Sequence, residues 1–130
     1  MNASDLHRHS LVIDSHNDTT VALIRRGNVG IAGEVGEDRH GRAGAVAYLR
    51  QYLTPQGHEP VQFTLPHLRQ GAVDAAFFAV DTTRAWGNHL VYALDALGYL
   101  KQEIEAHPEA MILARTADDI ETAKAAGKVA

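Results

Sequence analysis

Asp14-Ser15-His16-Asn17-Asp18 is the stretch of this sequence best equipped for chemistry. A histidine and an aspartate two positions apart lie on one side of an extended segment, because side chains alternate along a strand. An imidazole and a carboxylate on one face supply two ligands for a divalent ion such as zinc. The pair is incomplete by itself, since a hydrolytic zinc takes three protein ligands and keeps an open position for water. The same residues also fit a plainer reading, a loop histidine followed by an aspartate that caps the next helix. Asp14 is placed to support the pair from behind. Asp81, at the end of a second apolar run, is placed to orient a ligand from outside the metal's own shell, or simply to cap the turn through Thr82 and Thr83. The chain has no cysteine. Thiolate zinc, iron–sulfur clusters, disulfides and a cysteine nucleophile are therefore excluded, and any metal must be held by histidines and carboxylates.

The other seven histidines carry less. His7 and His9 fall in an N-terminal stretch expected to fray, and His40 and His58 in a Gly-rich, solvent-facing segment. His67 lies in a helical turn and His89 opens a helix, while His107 sits at a helix end, where a positive imidazole suits the helix dipole. Trp86, the sole tryptophan, reads as a packing residue of the turn after Asp81. No Gly-rich phosphate loop and no Gly-x-Ser-x-Gly elbow occurs, so neither nucleotide binding nor a serine-hydrolase reading has support.

The elements that must position these groups follow from the apolar pattern. Leu11-Val12-Ile13 is a short β-branched run that ends in polar residues, the mark of a buried strand entering a loop. Val21–Arg26 reads as a short helix. From 27 to 63 the chain is rich in glycine and charge, an insert longer than ordinary connections, with a short helix expected around Ala45–Leu53. Leu65–Gly71 is a turn of helix closed by glycine, and Ala72–Val80 a second buried strand. Asn88–His107 is the longest helix, with Leu90, Leu94, Leu97 and Ile104 in a stripe that Val91 and Leu100 widen. Lys101, Glu103 and Glu105 fall on its other side. Met111–Ala114 reads as a third strand. Thr116 and Asp119 form a capping signature for a last helix that Gly127 closes, and Lys128-Val129-Ala130 begins another strand. Strands that are continuous apolar runs, alternating with helices, predict a parallel α/β sheet covered on both faces. Sites in such folds sit at the carboxyl ends of the strands, where His16, Asp18 and Asp81 fall.

Composition sets the outer limits. The 130 residues carry 12 Lys and Arg against 16 Asp and Glu, a formal charge of −4, with 45% apolar and 22% charged residues. These proportions are globular rather than disordered. The acidic balance and the lack of a basic run argue against nucleic acid as a partner. No apolar stretch approaches the roughly 20 residues of a membrane span, and Leu11–Ile13 is too short for a signal-peptide core of about 7–15 residues. The expectation is a cytoplasmic protein.

Three segments resemble one family. Val12-Ile13-Asp14-Ser15-His16-Asn17-Asp18 is similar to the end of the first barrel strand in the renal (membrane) dipeptidase family, the zinc dipeptidases. Leu65-Pro66-His67-Leu68-Arg69-Gln70-Gly71 with Val73–Val80 is similar to that family's Leu-Pro-Arg-Leu-Arg-x-Gly stretch and second strand. Glu121–Ala130 is similar to the helix and Gly-Lys-Val/Ile-Ala tail that leads into its third strand. Thr19-Thr20 replaces a common Leu-Pro, and Thr64 an aspartate.

The resemblance implies the N-terminal part of a (β/α)8 TIM-type barrel, about three β/α units over residues 1–130. It further implies two zinc ions per complete site and hydrolysis of dipeptides, some with a D-residue on the C-terminal side, by a hydroxide held between the metals. His16 and Asp18 would ligate one zinc. No catalytic residue is expected within the chain, because the family's bridging glutamate would fall beyond Ala130, and a barrel takes about 250 residues. A fragment inactive by itself is the expectation. The related readings are another metal-dependent amidohydrolase or phosphoesterase, whose barrels often open with His-x-His where this chain has Asp18, and a non-catalytic truncated module. A small dipeptide is the expected partner. A homodimer is compatible with such a barrel, although nothing in the sequence defines an interface.

Overall fold

Asn2 starts the first helix, α1 (Ala3–His9), through a capping box. Its side chain accepts from the Asp5 amide at 2.9 Å, and the Asp5 carboxylate accepts from the Asn2 amide at 3.3 Å. The N-terminus is therefore ordered as a helix rather than frayed. His7 Nε2 lies 2.8 Å from the Gly71 carbonyl oxygen, tying α1 to a distant turn. The computed structural model describes residues 1–20, 30–32, 63–82 and 88–130. The expected helices at 21–26 and 45–53 and almost all of the 27–63 insert lie outside the described residues, as does Trp86.

The described residues form β1 (Ile13–Asn17), α2 (Leu65–Gln70), β2 (Ala75–Phe78), α3 (His89–Ala106) and α4 (Ala117–Ala125) after α1. β1 and β2 pair in parallel, with Ile13 beside Ala75 and Asp14 beside Ala76. The pairing then slips, so that Asn17 lies beside Phe78. The α/β content and the parallel pairing agree with the sequence reading.

The third strand departs from it. Met111–Ala114 contributes only a parallel bridge between Met111 and Val129. The chain end is more strand-like in its bonding. Ala130 donates to the Asp74 carbonyl at 2.9 Å and accepts from the Ala76 amide at 3.0 Å. Val129 donates to Ala110 at 2.9 Å and accepts from Ile112 at 2.9 Å. Successive residues of an extended chain bond to opposite sides. Residues 129 and 130 thus lie between β2 and the 110–112 segment, next to β2 in the order β1, β2, chain end.

α3 is the longest helix, as its sequence predicts, and Asn88 caps it by accepting from the amides of Leu90 and Val91 at 3.0 and 3.2 Å. Of the predicted stripe only Leu100 and Ile104 reach the core. Leu90, Leu94 and Leu97 are 66%, 61% and 52% exposed, while Tyr92, Ala96, Tyr99, Leu100 and Glu103 are buried. Tyr92, Ala96, Tyr99 and Glu103, spaced three or four apart, form a second stripe beside Leu100, and it is this stripe that packs. Glu103, expected on the solvent side, lies inside because its Oε2 accepts the Ile31 amide at 2.9 Å. A buried carboxylate is tolerated when hydrogen-bonded.

The core joins Ile31, Leu65, Leu68, Tyr99, Leu100 and Met111, with Phe63 and Phe78 packed edge to face at 5.3 Å between ring centroids. Leu65 donates to the Ile31 carbonyl at 2.9 Å. The residues on either side of 33–62 are thereby held side by side against α3. No helix among the described residues is long and apolar enough to cross a membrane.

Candidate metal site at the end of β1

β1 delivers its chemistry at its carboxyl end. The slip in pairing between Asp14 and Asn17 falls where the chain must leave the sheet, and Asp14 holds it there. Its Oδ1 accepts the His16 amide at 3.2 Å and its Oδ2 accepts the Asn17 side-chain amide at 3.0 Å. Asn17 in turn accepts the Thr19 amide on its own side-chain oxygen at 2.9 Å, an Asx turn that directs the chain into the helical residues 19 and 20. Asp14 is thus a brace for the turn that carries His16. Asn17 was not singled out by sequence reasoning, although an asparagine two residues before a helix start is a recognisable turn signal.

His16 and Asp18 come together as their spacing predicts. His16 Nε2 lies 3.5 Å from Asp18 Oδ1, and the two side chains are 71% and 60% exposed. Two donors each about 2.0–2.2 Å from one tetrahedral zinc must stand about 3.4 Å apart. The pair therefore fits the donor spacing of a single metal without rearrangement, and its exposure leaves room for further ligands and a substrate. An exposed pair of this kind contributes little to stability as an ion pair.

Asp81 is not brought to the pair. It lies half-buried three residues beyond Phe78 and is engaged in an interaction of its own. Thr83, which shared the capping reading, lies outside the described residues. β1 and β2 end together, with Ala79 donating to the Asn17 carbonyl at 2.8 Å, so Asp81 is at the same end of the sheet. Among the described residues no group of three or more His, Cys, Asp or Glu side chains converges on one point. His16 and Asp18 stand as a pair of donors.

Four of the other described histidines, His7, His9, His67 and His107, make structural contacts. His9 Nδ1 lies 2.6 Å from the Asp5 carbonyl oxygen within α1. His67 Nδ1 lies 3.2 Å from the Thr64 hydroxyl at the start of α2. His107 caps the end of α3, and His40 and His58 lie outside the described residues. Thr19 and Thr20 are buried at 9% and 0% exposure, and the Thr20 hydroxyl has no hydrogen-bond partner among the described residues.

Compared with known proteins, the chain matches the model of the membrane dipeptidase family, peptidase family M19, over residues 1–130. No curated protein matches it. The family match overturns the expected cytoplasmic location, since members of this family are typically extracellular or membrane-anchored. The absence of a long apolar run does not fix a location, because an anchor or a leader need not lie in the segment that builds the sheet.

Proposed function

The chain belongs to the membrane dipeptidase family, whose members are metal-dependent dipeptidases, and from that premise we propose that His16 and Asp18 hold one of two zinc ions in the dipeptide-hydrolysing site of the complete protein. The observation that carries the reading is the 3.5 Å separation of His16 Nε2 and Asp18 Oδ1 at the carboxyl end of β1. Family membership favours this over a phosphoesterase barrel, in keeping with Asp18 in place of a second histidine.

Zinc held there would polarise the scissile carbonyl and bring the acidity of the attacking water toward neutrality. The chain's own residues supply the placement. His16 offers its Nε2 and Asp18 its Oδ1 from one face, and Asp14 fixes the backbone between them by accepting the His16 amide. The parallel pair β1–β2, with residues 129 and 130 next in order, is read as the opening of a (β/α)8 barrel whose later strands bring the other ligands. The substrate class is a dipeptide, including dipeptides with a D-residue at the C-terminal side. The described residues supply two donors, and on this reading the other ligands come from the complete protein.

Replacing His16 or Asp18 by alanine in the complete protein tests the assignment. Zinc content should fall from about two per chain toward one or none, and hydrolysis of a dipeptide panel should fall by at least about 100-fold, the upper range for disturbing a ligand's support and a floor for losing the ligand. Full zinc content with unchanged hydrolysis in both variants would remove these residues from the site.

A further inference from the structure

The geometry points to Lys124 and Asp74 as a positioning pair that sets the register of β1, and through it the placement of His16 and Asp18. The inference rests on the reading of His16 and Asp18 as metal ligands.

Register in a sheet is ordinarily enforced by a buried face, because a slip of one residue turns every side chain to the opposite side. Among the described residues β1 has no such enforcement. None of its five residues is buried, and Ile13 is 40% exposed. Its partner β2 has four residues, and their pairing already shifts between Asp14 and Asn17. Something other than apolar burial must fix where β1 begins.

Polar contacts at the opposite end of the strand supply it. Asp74 Oδ2 accepts the Val12 amide at 2.8 Å, and the Asp74 amide donates to the Val12 carbonyl at 2.8 Å. The side chain and backbone of one residue thus grip both polar groups of Val12, immediately before β1. Lys124, from α4, holds that grip in place. Its Nζ lies 2.7 Å from Asp74 Oδ2 and donates to the carbonyls of Ser10 and Arg8 at 3.0 and 3.3 Å. The two charged side chains are 29% and 13% exposed, so solvent screens them only in part. One ammonium therefore joins the exit of α1, the entry to β1 and the entry to β2. Three residues separate Val12 from His16, and Asp14 braces the chain between them. A β1 released at Val12 is free to slip, and a slip carries His16 and Asp18 to the wrong face.

The test uses the complete protein stripped of metal and titrated with Co2+, whose visible absorption reports ligand geometry. Lys124→Met should weaken the His16-dependent equivalent by about 10-fold, the lower range for loss of a group that orients a ligand, and should alter its absorption band. Lys124→Arg, which keeps the charge and the donors, should restore both. If Lys124→Met does not accumulate as folded protein, Asp74→Asn carries the comparison, since it keeps an acceptor for Val12 while removing the charge. A lower melting temperature with unchanged cobalt affinity and spectrum would overturn the pair's positioning role and leave it purely structural. His16→Ala separates the two levels. Unaltered cobalt binding in that variant sinks the metal assignment itself, whereas loss there with wild-type behaviour in Lys124→Met sinks only the register pair.

Discussion

Asp119 shows how much one side chain does when the backbone around it has groups to satisfy. Its Oδ2 accepts the amides of Arg115 and Thr116 at 2.8 and 2.9 Å, while the Thr116 hydroxyl accepts the Asp119 amide at 3.2 Å. These bonds favour the ionised form. The two backbone amides first, and the Thr116 hydroxyl next, hold the carboxyl below its ordinary value of 3.8. Because the folded-state pKa is lowered, the cap's contribution is fully present above that ordinary value and fades as pH falls through the lower, folded one. The amide resonances of Arg115 and Thr116 should therefore shift together on the acid side of the ordinary carboxylate range. Asp119→Asn should abolish that joint transition. A transition that survives in the asparagine variant would have to come from another acid.

At the scale of elements, α2 and α4 end alike but with different residues in the critical place. In α4, Lys128 donates to the Ala123 carbonyl and Gly127 to the Lys124 carbonyl, and Gly127 has φ +69°. This is the Schellman closure with glycine in the left-handed position. In α2 the same pair of bonds runs from Val73 to Leu68 and from Ala72 to Arg69, and the left-handed residue, at φ 49°, is Ala72. Gly71 stands one position too early to relieve the strain. The sequence reading that gave the stop to Gly71 located the helix end correctly and missed which residue bears the cost. Ala72→Gly should therefore stabilise by about 0.5–1 kcal/mol, and Gly127→Ala should destabilise by about 1 kcal/mol or more. No atom lies within 4 Å of a Cβ built at Gly127, so its penalty would be conformational alone. Denaturant midpoints of the two variants settle the signs. Equal and negligible shifts would mean that neither position is strained.

Helix ends and the His16–Asp18 pair were legible in the sequence because capping, turns and strand alternation are local rules. The buried face of α3 was legible only at Leu100 and Ile104. Its leucines are more apolar than its tyrosines, yet a helix packs by shape and reach, and Tyr92 and Tyr99 fill space that Leu94 does not face. Glu103 was illegible for a related reason, since its partner is the amide of Ile31, 72 residues away. Lys124 and Asp74 lie 50 residues apart and left no mark in the sequence. The expected strand at Met111–Ala114 failed because an apolar run shows that a segment is buried, not that it finds a continuous ladder.

For the whole molecule these placements predict a lopsided response to mutation along a single helix. Leu100 is 7% exposed and belongs to the core that gathers Leu65, Leu68, Tyr99 and Met111, whereas Leu94, six residues earlier, is 61% exposed. Truncating a buried leucine removes its transfer energy and leaves a cavity that close-packed neighbours fill only in part, so Leu100→Ala should cost about 2–5 kcal/mol. Leu94→Ala leaves no cavity and exchanges one good helix former for a better one, so its effect should stay within about 0.5 kcal/mol. Urea unfolding of both variants provides the comparison, with the midpoint carrying the stability and the slope checking that the unfolding unit is unchanged. The reverse order, a large loss at Leu94 and a small one at Leu100, would mean that the leucine stripe, not the tyrosine stripe, faces the core. It would also conflict with the bond from the Ile31 amide to Glu103, which lies on the face that Leu100 shares.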